Sequence, residues 1–130
     1  MLDDTTNDAE RYAAAVADEL EELERLVRDG GTWEDDEDGF DPFDSWEERA
    51  VLDIDATVSL STGTVASVTI TRTVGGPGCW LECYADGNVR VRAVWGYEQS
   101  YRTVYAPTVS EWAYETAELM LADPPADRYR

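Results

Sequence analysis

Apolar positions recur at two different periods along this chain, and the change of period divides it. Between Asn7 and Asp29, Tyr12, Val16, Leu20, Leu23 and Val27 follow one another at spacings of three and four, the repeat of an amphipathic helix. Asn7 with Glu10 three residues on makes a capping-box-like start, and Asp29-Gly30-Gly31 supplies the stop. A helix is therefore predicted over 7–29, with Asp18, Glu21 and Glu22 on its outer side. From Val51 the period falls to two. VLDIDATVSL, a turn at Ser61-Thr62-Gly63, and TVASVTITRTV read as two antiparallel strands, the second with Val68, Ile70, Arg72 and Val74 on one face and threonines on the other. CWLECYA and NVRVRAVWG, separated by the hairpin signal Asp86-Gly87, add two more. A fifth strand is predicted from about Ser100 to Tyr105, giving a sheet within 51–105.

The helical period returns in Val109, Trp112, Ala113, Thr116, Leu119 and Met120, so a closing helix is predicted over 108–122, capped by Thr108 or Ser110 and stopped at Asp123-Pro124-Pro125, with a frayed tail over 124–130. This order predicts a single α+β domain: an N-terminal helix, a four- to five-stranded antiparallel meander, and a C-terminal helix packed on one face of the sheet. Val16, Leu20, Leu23, Ile54, Val68, Ile70, Leu81, Val91, Trp95, Trp112 and Leu119 are the expected core.

Between helix and sheet, residues 32–48 (TWEDDEDGFDPFDSWEE) hold nine acidic and no basic side chains, interleaved with Trp33, Phe40, Phe43 and Trp46. Repulsion among like charges predicts an irregular loop, pinned to the body by its aromatics. The acidity is uneven along the whole chain. The net charge is −19, and residues 1–55 carry 21 acidic residues against 4 arginines, whereas residues 56–130 carry 8 against 6. Nucleic acid and anionic membrane would be repelled by that field, and a basic protein surface would complement it. No window approaches the roughly 20 apolar residues of a membrane span, and a cytoplasmic location is expected.

The chain contains neither histidine nor lysine. That removes the usual general base, the Ser-His and Cys-His pairs, most catalytic zinc sites, the P-loop lysine and Schiff-base chemistry, so no enzyme and no cofactor is expected. Cys79 and Cys83 lie four apart on one predicted strand, about 13 Å at about 3.3 Å per residue, too far to bridge. They read as small buried side chains. Gly75-Gly76-Pro77-Gly78 lacks the P-loop spacing and reads as a turn into a strand. Glu34, Asp36, Asp38 and Gly39 echo the start of a calcium loop. Ser45 stands where the bidentate glutamate belongs, and Pro42 fills the ninth position, so no metal site is expected.

Val51-Leu52-Asp53-Ile54-Asp55, Gly75-Gly76-Pro77 followed by Trp80, and Trp95-Gly96 before a closing helix resemble small acidic proteins encoded by phages and integrative mobile elements, over about residues 51–121. The chain departs from that pattern in Gly78-Cys79 before the tryptophan. The resemblance implies an antagonist of restriction or CRISPR systems and carries no catalytic residue. Residues and resemblance together give the expectation of an anti-CRISPR or antirestriction inhibitor that mimics DNA charge. Its contact residues would be Glu34, Asp35, Asp36, Glu37, Asp38, Asp41, Asp44, Glu47 and Glu48, with Trp33 and Trp46 as apolar anchors or, by the stronger reading, as packing against their own domain. The expected partner is a basic nucleic-acid-binding protein such as a CRISPR effector or restriction enzyme. A homodimer through strand edges is compatible with the pattern. The alternative is a salt-adapted accessory protein. Against it stands the meander, whose exposed positions carry threonine, serine and arginine instead of acid.

Overall fold

The structure, a computed structural model, describes residues 7–34, 36, 39–73 and 77–122. It is an α+β fold of three helices, α1 (Asp8–Asp29), α2 (Pro42–Ala50) and α3 (Pro107–Ala122), and five strands, β1 (Asp53–Val58), β2 (Val65–Thr73), β3 (Gly78–Cys83), β4 (Asn88–Trp95) and β5 (Glu98–Tyr105). The strands pair in chain order, every pair antiparallel.

Strand alternation decides which side of the sheet is covered. Register aligns Val68 with Cys83, Ile70 with Leu81, Leu81 with Val91, and Val89 with Val104, so one face is a continuous apolar surface. All three helices lie on it. α1 spans β4 and β5, α3 spans β1 and β2, and α2 packs beside α1. Phe43 of α2 closes the layer, its ring 5.6 Å from both Trp46 and Trp112 of α3. Leu20, Leu23, Val68, Ile70, Leu81, Val89 and Val91 are fully buried. Each contributes roughly 1.5–3 kcal/mol relative to exposure, before the entropy of ordering is set against it.

α1 begins and ends where expected. The Asn7 side chain accepts from the Glu10 amide at 2.7 Å, and Gly30 takes φ 73°, its amide donating to Leu26 O. The meander is likewise as read, with β5 beginning two residues earlier than predicted.

Four expectations are corrected. The predicted loop over 32–48 contains α2, which runs on to Ala50. Repulsion does not prevent it, because the acids sit where a helix accepts them: Asp41 caps the Phe43 and Asp44 amides at 3.0 Å each, Pro42 fills the first turn, and Arg49 stands in the last. Neither Thr108 nor Ser110 caps α3. The Glu24 carboxylate of α1 does so, accepting from the Thr108 amide (3.1 and 3.2 Å) and the Val109 amide (3.3 Å), while the Ser110 hydroxyl donates to Tyr84 O. Leu119 is 72% exposed, standing on the solvent side of the last turns of α3. Trp95 is 42% exposed at the end of β4, touched edge-on by Tyr12 at 6.0 Å. Ile54 and Trp112 are partly buried against the core, and the other predicted core residues are fully inside. Gly78, read as the end of the turn, is the first residue of β3, one earlier than predicted, whereas Gly75, Gly76 and the tail over 124–130 lie outside the described residues.

Both cysteines are free and buried. Burial pushes the Cys79 thiol up to about 11 and the Cys83 thiol up to about 12. In the unfolded chain a thiol ionises near about 8.5, so the stability these groups contribute is complete below that pH and is lost as the pH climbs toward their folded values. At pH 8 neither thiol should react with a disulfide reagent in the folded protein, and both should react in denaturant; rapid native labelling would contradict the burial. Glu24→Ala should strip the cap of α3 and lower stability by about 1–2 kcal/mol, read as a fall in Tm of about 3–8 °C.

Candidate functional site

The acidic residues divide by direction. On α1, Asp18 and Glu21 are exposed, whereas Glu19 and Glu24 are half-buried and hold the fold together. Glu19 pairs with Arg72 of β2 (Oε2 to Nη1 2.5 Å, Oε1 to Nη2 3.3 Å) and accepts the Trp46 indole N–H at 2.9 Å. One carboxylate thus joins α1, α2 and the sheet. In a chain so short of arginine, this pairing keeps one negative charge from repelling its neighbours and gives Trp46 the acceptor a buried indole needs.

The predicted contact residues do not form one surface patch of equal exposure. Asp41, Asp44 and Glu48 are exposed at i, i+3 and i+7, on one stripe of α2, with Glu34 exposed in the segment before it. At 1.5 Å rise per residue the stripe advances about 4.5 and about 6 Å between charges. Glu47 is half-buried, and so is Asp36, whose Oδ2 is buried with no hydrogen-bond partner among the described residues. Asp35, Glu37 and Asp38 lie outside the described residues.

The two tryptophans are anchors of the domain itself. Trp46 is 2% exposed and is therefore withdrawn as a contact residue. Trp33 is half-buried, donates its indole N–H to Pro42 O at 2.9 Å, and lies under the Arg49 guanidinium at 5.6 Å. Together with Glu19, Ala50 and Arg72 these side chains line a cavity of about 340 Å³ between α1, α2 and β2. Phe40, by contrast, is 59% exposed and is the aromatic of this segment that meets solvent.

A second acidic surface was not anticipated. A groove of about 400 Å³ runs between the β3–β4 turn and α3, lined by Asp86, Glu111, Glu115, Glu118, Tyr105 and Tyr114 among others. Hydrogen bonds from the Asn88 amide and side chain hold the Asp86 carboxyl below its ordinary value. Burial raises the Tyr114 phenol, which donates to Ala66 O at 2.9 Å. The groove is therefore negative at neutral pH and shaped for a cationic side chain between phenols. Its signal in the sequence was the spacing of Glu111, Glu115 and Glu118, one helical stripe beside the apolar one.

Among the described residues no group of three or more metal-ligating side chains comes together, and no helix is long and apolar enough to cross a membrane. The chain matches no protein-family model, no curated protein and no solved structure.

Removing the Glu19 carboxylate should expose its double role. Glu19→Ala leaves the Arg72 guanidinium and the Trp46 indole without their acceptor and should cost about 1.5–3 kcal/mol in urea unfolding. Trp46→Phe in the same background should then cost less than it does alone, and strict additivity would show that the two are not coupled.

Proposed function

We propose that this protein is an acidic inhibitor that occupies the basic nucleic-acid-binding surface of a host defence complex, of anti-CRISPR or antirestriction type, by charge mimicry. The observation that carries the reading is the stripe Asp41, Asp44 and Glu48 on a capped helix. A loop of carboxylates is a solvated cloud, whereas a helix holds them at fixed intervals. Charges about 5 Å apart come within a factor of two of the 3.4 Å per phosphate along one strand of duplex DNA. Glu34 beside the stripe, and Asp18 and Glu21 on α1, extend the field on the helical side of the molecule. The groove on α3 adds carboxylates with room for an arginine or lysine of the partner.

Lack of histidine and lysine supports a binding role over a catalytic one. Salt adaptation, the competing reading, would spread acid over every exposed surface. On the sheet face away from the helices, the acids Asp53, Asp55 and Glu82 are instead matched by Arg90 and Arg92, with Ser67, Thr69 and Thr71 of β2 beside them, so that face carries little net charge.

The test uses three exposed carboxylates that cap no helix. Protein at about 0.1 M salt should retain a nuclease or CRISPR subunit from host lysate, release it to added duplex DNA and to higher salt, and lose it with Glu34→Gln, Asp44→Asn and Glu48→Gln combined. Equal retention by the neutralised variant would overturn the carboxylate mechanism. A chain that folds only in molar salt would instead identify a halophilic protein.

A further inference from the structure

The helices cover one face of the sheet, and no described element covers the other. That open face has an ordered distribution of charge and size. In the register, one row across it reads Asp53, Thr71, Trp80, Arg92, Tyr101, and the next reads Asp55, Thr69, Glu82, Arg90, Thr103. Acid stands on β1 and arginine on β4, in the same two rows. At about 4.8 Å per strand they are about 14 Å apart and cannot meet within one chain.

Both arginines are held over aromatic rings of neighbouring strands. Arg92 stacks over the Trp80 ring at 4.3 Å and Arg90 over Tyr101 at 4.5 Å, with Arg90 also paired to Glu82. Gly78 makes the first stack possible, because a Cβ there would lie 2.6 Å from the Trp80 ring. Arg92 has no carboxylate within ion-pair distance among the described residues, and its Nε has no hydrogen-bond partner. Asp53 and Asp55, both exposed, likewise face no arginine.

We infer that the open face binds the same face of a second copy of this chain, in a two-fold dimer whose axis runs along the strands between β2 and β3. That operation keeps the rows and exchanges the strands. It sets Asp53 of each copy over Arg92 of the other and Asp55 over Arg90. It also sets bulky β3, with Trp80, against the short side chains of β2, Thr69 and Thr71. The interface is isologous, each pair of contacts occurring twice. Packed sheets cross at about 30°, so side chains about 7 Å from the axis slip by about 4 Å, within reach of an aspartate and an arginine.

The area suits a weak dimer. Four strands by five or six residues give a footprint of about 350 Å² per copy, about 700 Å² for the two, which places the contact among small, transient interfaces below about 1,200 Å². The net charge of −19 per chain opposes it. The helix layers face outward, however, and are separated by both sheets, beyond the roughly 10 Å Debye length at 0.1 M salt. A small interface formed against that repulsion is a weak, concentration-dependent one. This inference concerns the face opposite the α2 stripe, and its failure leaves the proposed function untouched.

Sedimentation velocity of the full chain from about 1 to 200 μM in 0.15 M NaCl should show a concentration-dependent dimer. Asp53→Arg with Asp55→Arg, both exposed on an edge strand, should give a folded monomer by circular dichroism. Arg92→Asp should also be monomeric, and Asp53→Arg combined with Arg92→Asp should restore at least half of the wild-type dimer. A wild-type monomer throughout the range overturns the inference. So does a dimer that survives Asp53→Arg with Asp55→Arg, which would mark association through strand edges. Should Arg92→Asp fail to fold, the edge-strand variant decides alone.

Discussion

The half-buried carboxylate of Glu19 is the junction on which the helix layer depends. It receives Arg72 from the sheet and the Trp46 indole from α2, and it does so from the inner side of α1. Five residues on, Glu24 reaches the first amides of α3, which have no partner within their own helix. A chain with 29 acidic residues and 10 arginines has many ways to repel itself. It recruits two of those acids as internal acceptors, one for a guanidinium and an indole, one for a helix end. The remaining carboxylates can crowd the outside because these two fix the elements that carry them.

That division between inward and outward acid gives the molecule two dissimilar sides. The helical side presents carboxylates at helical intervals. The sheet side mixes its charges, with Asp53, Asp55 and Glu82 among threonine, tryptophan and tyrosine and two arginines over the rings. Each side is consistent with its own secondary structure. A helix brings like charges three and four apart onto one face, at a cost of about 0.2–0.5 kcal/mol per pair that the packing of its other face offsets, and a pleated face places a cation beside an aromatic on the neighbouring strand.

Much of this was legible before the structure. The change of period at Val51 marked the passage from α1 to the meander, and Asp86-Gly87 marked the β3–β4 hairpin. Legibility failed where a long-range partner overrode a local rule. Glu24 caps α3 from 84 residues away, a relation that Thr108 and Ser110, the local candidates, could not reveal. α2 was hidden because charge density was weighed without position: the same acids that argue against a helix in bulk favour it at its N-terminus. Trp46 and Trp33 were correctly read as anchors by the stronger argument. The open-face rows required the register, since Asp53 and Arg92 are neighbours of nothing in sequence and acquire meaning only across four strands.

The placement of α1 on β4 and β5 also sets an order of events during synthesis. The strands pair with their chain neighbours, so the meander can assemble hairpin by hairpin as it emerges. α1 packs on β4 and β5, so its apolar stripe has no sheet to cover it until those strands exist, about 60 to 70 residues later, which is on the order of 3–14 s of translation. Throughout that interval an amphipathic helix waits with its apolar stripe uncovered, the state in which nascent chains aggregate. The density of like charge on its other side, and on the segment that follows, keeps such chains apart while they wait.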